Sequence, residues 1–176
     1  MKYSKDPFGP FSSASRPYLG GFTLVEMLIV IALTAVLAAV ALPSFNSLVE
    51  RYRVVSKVDA LGASFSLARV EAIRRGATVS VRSRGTSCGL TASATDWTCG
   101  WDVQAGSGAT LETLKSEGPD ARVEIGGGDA VISFDAFGRS NDWRCLDVRP
   151  QRKGGKSIQI ILSQGGLARR QEDGVC

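Results

Sequence analysis

The apolar and polar positions fall into stretches of different period along the chain. From Phe22 to Leu42, 21 residues are apolar on every side of a helix, with Glu26 as the only formal charge. That length suits one membrane span, which takes roughly 20 predominantly apolar residues. Pro43 follows. It lacks an N–H and crowds the preceding turn, so a kink is expected there. Beyond it the pattern becomes amphipathic. Phe45, Leu48, Val49 and Tyr52 share one face, and Val58, Leu61, Phe65, Ala68 and Ala72 recur at steps of three and four. Such stripes are expected to be core. Charged residues from Glu50 to Arg75 fill most other positions, and Arg74-Arg75-Gly76 reads as a helix end, with cations in the last turn and a glycine after it. The pattern predicts one helix from Phe22 to Arg75.

After Gly76 the period shortens to two. Thr78 to Arg82, Trp101 to Val103, Arg122 to Ile125, Val131 to Phe134, Cys145 to Val148 and Ser157 to Leu162 alternate as half-buried strands do. Glycine-rich turns at 106–108, 126–128 and 154–155 separate several of them. The expected class is α+β: a long N-terminal helix, its first half transmembrane, packed on a C-terminal antiparallel β region. With residues 1–21 and the span set aside, about 134 residues remain, enough for one domain with its own core.

Composition narrows the chemistry. The formal net charge is +4. Without Lys2, Lys5, Arg16 and Asp6 in residues 1–21, 18 basic and 16 acidic side chains remain, so the distribution of charge tells more than its sum. The chain has no histidine, which removes Ser-His-Asp and Cys-His catalysis and the commonest metal ligand. No nucleophile motif is recognisable, so no enzymatic activity, cofactor or metal is expected. Cys88, Cys99, Cys145 and Cys176 have no C-x-x-C spacing for zinc. An even number in an exported domain reads as two disulfides, with three connectivities allowed. The pairing preferred is sequence-local, Cys88 with Cys99 and Cys145 with Cys176, against free buried thiols as the alternative.

Gly21-Phe22-Thr23-Leu24-Val25-Glu26, followed by an apolar run ending at Pro43, resembles the class III signal of type IV pilins and type II secretion pseudopilins. The stretch Leu67-Ala68-Arg69-Val70-Glu71-Ala72-Ile73-Arg74-Arg75-Gly76 and the later Phe134-Asp135-Ala136-Phe137-Gly138-Arg139 are similar to those of the GspH/FimT family of minor pilins and pseudopilins. The resemblance implies a type IV pilin-like fold divided into a cleaved leader (1–21), a transmembrane segment (22–42), an amphipathic helix (43–76) and a β-rich region (77–176). It implies cleavage after Gly21 by a prepilin peptidase and N-methylation of Phe22. It further implies an inner-membrane, single-pass precursor with a periplasmic domain, which joins other minor and major pilins or pseudopilins in a pilus or pseudopilus. Two plainer readings compete: a secretory signal cut after Ala39-Val40-Ala41, and a simple anchor. Neither accounts for both the Gly-Phe junction and Glu26.

Glu26 is the leading functional candidate. A carboxylate in a span costs roughly 2.5 kcal/mol or more unless partnered. In the family its partner is a neighbouring subunit's N-terminal amine, here that of Phe22. At about 4 Å and an effective dielectric near 20 such a pair attracts by about 4 kcal/mol. The second candidate is a basic strip. Residues 139–170 hold Arg139, Arg144, Arg149, Arg152, Lys153, Lys156, Arg169 and Arg170 against two acids, while 96–135 hold eight acids against Lys115 and Arg122. Such asymmetry suits a polyanion such as DNA. Some family members bind DNA through a C-terminal G-R-x-R. Here Gly166-Leu167-Ala168-Arg169-Arg170 lacks the first arginine, and Glu172-Asp173 follows.

Overall fold

The structure is a computed structural model. It describes residues 21–176 apart from positions 91, 92, 94, 142, 153, 173 and 175, and of residues 40–44 the backbone alone. The chain forms two compact units that divide between Ala41 and Leu42. Helix α1 spans Leu24–Arg75. Its N-terminus is set by Thr23, whose Oγ1 accepts the Glu26 N–H at 3.2 Å and whose carbonyl accepts the Met27 N–H at 3.2 Å. The threonine hydroxyl thus satisfies one of the donors that every helix start leaves over. In the first unit the large apolar side chains from Leu24 to Leu37 are all exposed, from 48% at Val30 to 76% at Leu24. Among the described residues no helix is long and apolar enough to cross a membrane. The apolar stretch continues in sequence to Leu42, and the side chains at 40–44, with the kink expected at Pro43, lie outside the described residues.

In the second unit, Val54, Val58, Leu61, Phe65, Ala68 and Ala72 form the buried face of α1. The other expected stripe is not core. Phe45, Leu48 and Tyr52 are 62%, 63% and 74% exposed, because at 100° per residue they lie on roughly the opposite side of the helix from Val54 and Val58. Val70 and Ile73 continue that outer face, also exposed. The helix ends in a Schellman motif. Gly76, at φ +60°, donates to the Ile73 carbonyl (3.3 Å), and Ala77 donates to that of Ala72 (3.2 Å).

Among the described residues eight strands follow: β1 (Val79–Ser83), β2 (Trp101–Ala105), β3 (Glu112–Glu117), β4 (Val123–Gly126), β5 (Val131–Phe134), β6 (Arg144–Pro150), β7 (Ile158–Leu162) and β8 (Ala168–Glu172). They make two four-stranded sheets, ordered β3-β2-β1-β5 and β4-β6-β7-β8, with every pairing antiparallel. One face of each inner strand joins the helix in a single core. At its centre Phe65 meets Trp97 edge-on, with centroids 6.3 Å apart, and lies 6.4 Å from Phe134, while Trp101 sits 6.4 Å from Trp97. The indoles keep their polar atoms satisfied. Trp101 Nε1 donates to the buried Ser64 Oγ at 2.9 Å, and Trp97 Nε1 donates to the Asp129 carbonyl at 3.1 Å. Ser64 in turn donates to the Ala60 carbonyl at 2.8 Å, so this buried hydroxyl has both a donor and an acceptor partner.

Phe65 packs on both Trp97 and Phe134 at the centre of this cluster, so Phe65→Ala should lower unfolding stability by about 3–5 kcal/mol. Denaturant titration of the variant checks it, and a loss below about 1 kcal/mol would show that the cluster is not the centre of the core.

Candidate functional site

The N-terminal junction is open. Gly21 and Phe22 precede the helix, and Phe22 is 77% exposed. Glu26 stands in the first turn of α1, where the exposed N–H groups favour a negative charge. Its spacing from Thr23 is that of a capping box, S/T-x-x-E, of which the bond from the Glu26 N–H to the Thr23 hydroxyl is formed.

The charge asymmetry between the two halves of the β region folds into pairs. Arg149 Nε binds Glu124 at 2.9 Å, directly opposite it in the β4–β6 register. Arg144 meets Asp129 at 2.6 Å, and Arg139 meets Asp135 at 2.9 Å. Arg152 lies 3.8 Å from Glu50 and Arg170 3.2 Å from Asp59, both on α1. The expected basic strip is therefore largely neutralised, by carboxylates of the acidic half and of α1. Lys156 is exposed on the loop before β7, and Lys153 lies outside the described residues. Arg169 makes no ion pair among the described residues. It lies on β8, opposite Ile161 of β7.

Other carboxylates are held as anions by arginines. Two guanidiniums, Arg74 at 2.6 Å and Arg75 at 2.8 Å, grip Glu71 and pull its pKa from 4.5 to about 2. Arg84, and then Ser116, lower that of Asp102; the Arg139 backbone N–H and then its guanidinium lower that of Asp135. Arg75 also reaches Glu112 of β3 at 2.7 Å, so the helix end and an edge strand share one network.

Three segments singled out in the sequence meet at one point. Arg69 Nε donates to the Gly138 carbonyl at 3.1 Å. Gly138, at φ +75°, sits so close to the helix that a Cβ would come within 2.7 Å of Ile73 Cδ1. Gly166, at φ +72°, has no room for a Cβ against the same Gly138 carbonyl. The glycine of the tail motif is thus needed for close packing, with no ligand required to explain it.

The cysteines are joined as Cys88–Cys99, inside the β1–β2 connection, and Cys145–Cys176, from β6 to the last residue. The tail is also held by the buried Gln159. Its Oε1 accepts the Gly174 N–H at 2.8 Å, while its Nε2 donates to Asp147 at 2.8 Å and Ser157 at 3.0 Å.

A family model for type II transport protein GspH matches residues 57–166, and one for the prokaryotic N-terminal methylation motif matches residues 20–42. Among solved structures, the chain is similar to the type IV minor pilin FimU of Pseudomonas aeruginosa. The identity there is 19% and the TM-score 0.56, over 71% of this chain and 91% of that one. It is also similar to EpsH, a minor pseudopilin from the type 2 secretion system of Vibrio cholerae. Here the identity is 11% and the TM-score 0.52, over 68% and 96% of the two chains. The fold is type IV pilin-like, a helix packed on antiparallel sheets.

Two outcomes are expected. Because the Glu71 pKa is depressed, its stabilising contribution is complete above about 4.5 and is lost as pH falls through about 2. Glu71→Gln should therefore flatten the decline of the thermal midpoint over that window, and an unchanged acid limb would contradict the clamp. The disulfide Cys145–Cys176 closes a sequence separation of 31, so replacing both cysteines by serine should cost about 3–4 kcal/mol in the chain-entropy model and expose the tail to proteolysis. Equal protease resistance of the serine variant would show that Gln159 alone holds the tail.

Proposed function

The chain belongs to the GspH family of type II transport proteins, and from that membership we propose that it is a structural subunit, a minor pilin or pseudopilin, of a filament of the type IV pilus or type II secretion kind. In this reading a prepilin peptidase cleaves after Gly21 and methylates the amine of Phe22. Residues 22–42 then anchor the subunit as a single inner-membrane span, with the domain in the periplasm, until it joins other pilins or pseudopilins.

The observation that carries the reading is the first unit's helix. Its large apolar residues lie exposed from Leu24 to Leu37, and one carboxylate, Glu26, stands in its first turn, directly after the methylation junction. Apolar surface on that scale is untenable in water. Lipid covers it before assembly, and neighbouring helices cover it afterwards. The amine of a neighbour's Phe22 supplies the partner that Glu26 needs in such surroundings. Within the second unit the outer stripe Phe45, Leu48 and Tyr52 is also uncovered, as a subunit packed among others requires.

A DNA receptor is the second reading, and it has less support. Arg139, Arg144, Arg149, Arg152 and Arg170 each face a carboxylate, and few phosphate contacts are left over.

Intact mass of the processed protein should correspond to a chain that starts at Phe22 with one added methyl group; a start at Leu42 would overturn the reading. Glu26→Ala should leave membrane insertion intact and reduce incorporation into filaments about tenfold or more, as expected for the loss of a pair worth at least ~1.4 kcal/mol. Normal incorporation of that variant would remove the pairing from the mechanism.

A further inference from the structure

Sheet edges present unpaired N–H and C=O groups, and folded proteins blunt them. Three of the four edges here are blunted. On β4, the Ile125 N–H donates to Thr98 Oγ1 (3.0 Å) and its carbonyl accepts the Trp97 N–H (2.9 Å). On β5, the Ser133 N–H donates to Asn141 Oδ1 (3.3 Å) and its carbonyl accepts the Asn141 N–H (3.1 Å). The β3 edge is irregular, its register with β2 shifting between Val103 and Gln104. Edge β8 differs. It runs five residues in unbroken register with β7, all five are exposed, and among the described residues nothing bonds to its outer side.

Charged side chains often protect an open edge. On β8, Arg170 and Glu172 are turned onto the helix, to Asp59 at 3.2 Å and Arg51 at 3.5 Å. Alternation puts Leu167 and Arg169 on the other face. There Trp143, Ile161, Leu167 and Arg169 border a pocket of about 610 Å³, with Trp143 and Leu167 53% and 63% exposed.

We propose that the open edge of β8, with the Trp143–Leu167 pocket beside it, is a strand-addition site for an extended polypeptide segment of a partner protein that carries an apolar and an acidic side chain two residues apart, on one face. Main-chain hydrogen bonds to the edge supply register-independent affinity, and pockets for alternate side chains supply selectivity. A residue opposite Leu167 fills the apolar pocket. The residue two further along, about 6.8 Å away on the same face, meets Arg169 and is therefore a carboxylate. Nucleic acid fits worse, because it offers no ladder of amides for the edge.

The site goes beyond the filament role, and its failure would leave cleavage after Gly21 and the Glu26 pairing untouched. The test uses the full chain in detergent micelles and an acetylated, amidated hexapeptide, Glu-Thr-Phe-Thr-Glu-Thr, which places a carboxylate two residues from the phenyl ring on the same face in either strand direction. The expected result is saturable binding below about 1 mM that shifts the backbone amide resonances of Ala168–Glu172 and the Trp143 indole. N-methylation of every second peptide amide, which spares the side chains, should weaken binding tenfold or more. Arg169→Glu is exposed and should fold normally by its thermal midpoint. It should weaken binding by a similar factor and reverse the preference toward the lysine-for-glutamate version of the peptide. No saturable binding, resonance shifts confined to other strands, indifference to N-methylation, or no reversal would each overturn the proposal. So would duplex DNA that shifts the β8 amides where the peptide does not.

Discussion

The structure depends on a helix that its own chain covers on one side only. Along α1, Val54, Val58, Leu61, Phe65, Ala68 and Ala72 are buried under the two sheets, and this single stripe unites them into one core. At roughly 25 cal/mol per Å2 of apolar surface removed from water, burying a large side chain such as Leu61 or Phe65 contributes on the order of 2–3 kcal/mol. Other apolar positions of α1 have no such cover. Phe45, Leu48 and Tyr52 face away from the sheets, and the large side chains between Leu24 and Leu37 are exposed. A sequence that spends its apolar residues on uncovered faces is selected for a covered state that one subunit does not provide. The proposed filament role and exposure of this kind therefore have the same physical cause.

Electrostatics inside the second unit points the other way, toward self-sufficiency. The acidic and basic halves of the β region neutralise each other strand to strand, as Glu124 and Arg149 do across β4 and β6. Pairs at such exposed positions contribute little each, about 0–1 kcal/mol. Their effect is to leave few cations available for a polyanion. Counting charge along the sequence overstates the basic surface, because residues far apart in the chain become cross-strand neighbours.

Elements with a buried face were legible in the sequence; the two edge strands with exposed side chains were not. The buried stripe from Val58 to Ala72, the helix end at Gly76 and six of the eight strands follow from period alone, since burial on one face imposes alternation. Strands β3 (Glu112–Glu117) and β8 (Ala168–Glu172) escaped, because an edge strand with exposed side chains carries no apolar alternation. Ser64 was overlooked for a related reason: a buried serine breaks an apolar pattern, and only the Trp101 indole explains it. The stripe at Phe45, Leu48 and Tyr52 was read as core because period shows that residues share a face without showing which face meets the domain. Exposure of that stripe is a property of the fold, invisible to a helical wheel.

The C-terminal tail shows why motif resemblance and geometry have to be weighed together. Gly166 has a positive φ and no space for a Cβ beside Gly138, which is itself pressed against Ile73 and bonded to Arg69. Every side of that junction is explained by packing, so its glycines carry no information about a ligand. Downstream, the Cys145–Cys176 bond, the Gln159 amide and the pairs from Arg170 and Glu172 to α1 fasten β8 on one face and at its end. A strand fastened so heavily, yet left with its edge open, loses little conformational entropy when a partner adds to it. Rigidity at an exposed edge lowers the cost of recognition, and it also raises the risk of unwanted pairing unless the partner's side chains discriminate. Arg169 is placed to provide that discrimination, because a segment without a carboxylate opposite it would leave the guanidinium partly desolvated and unpaired.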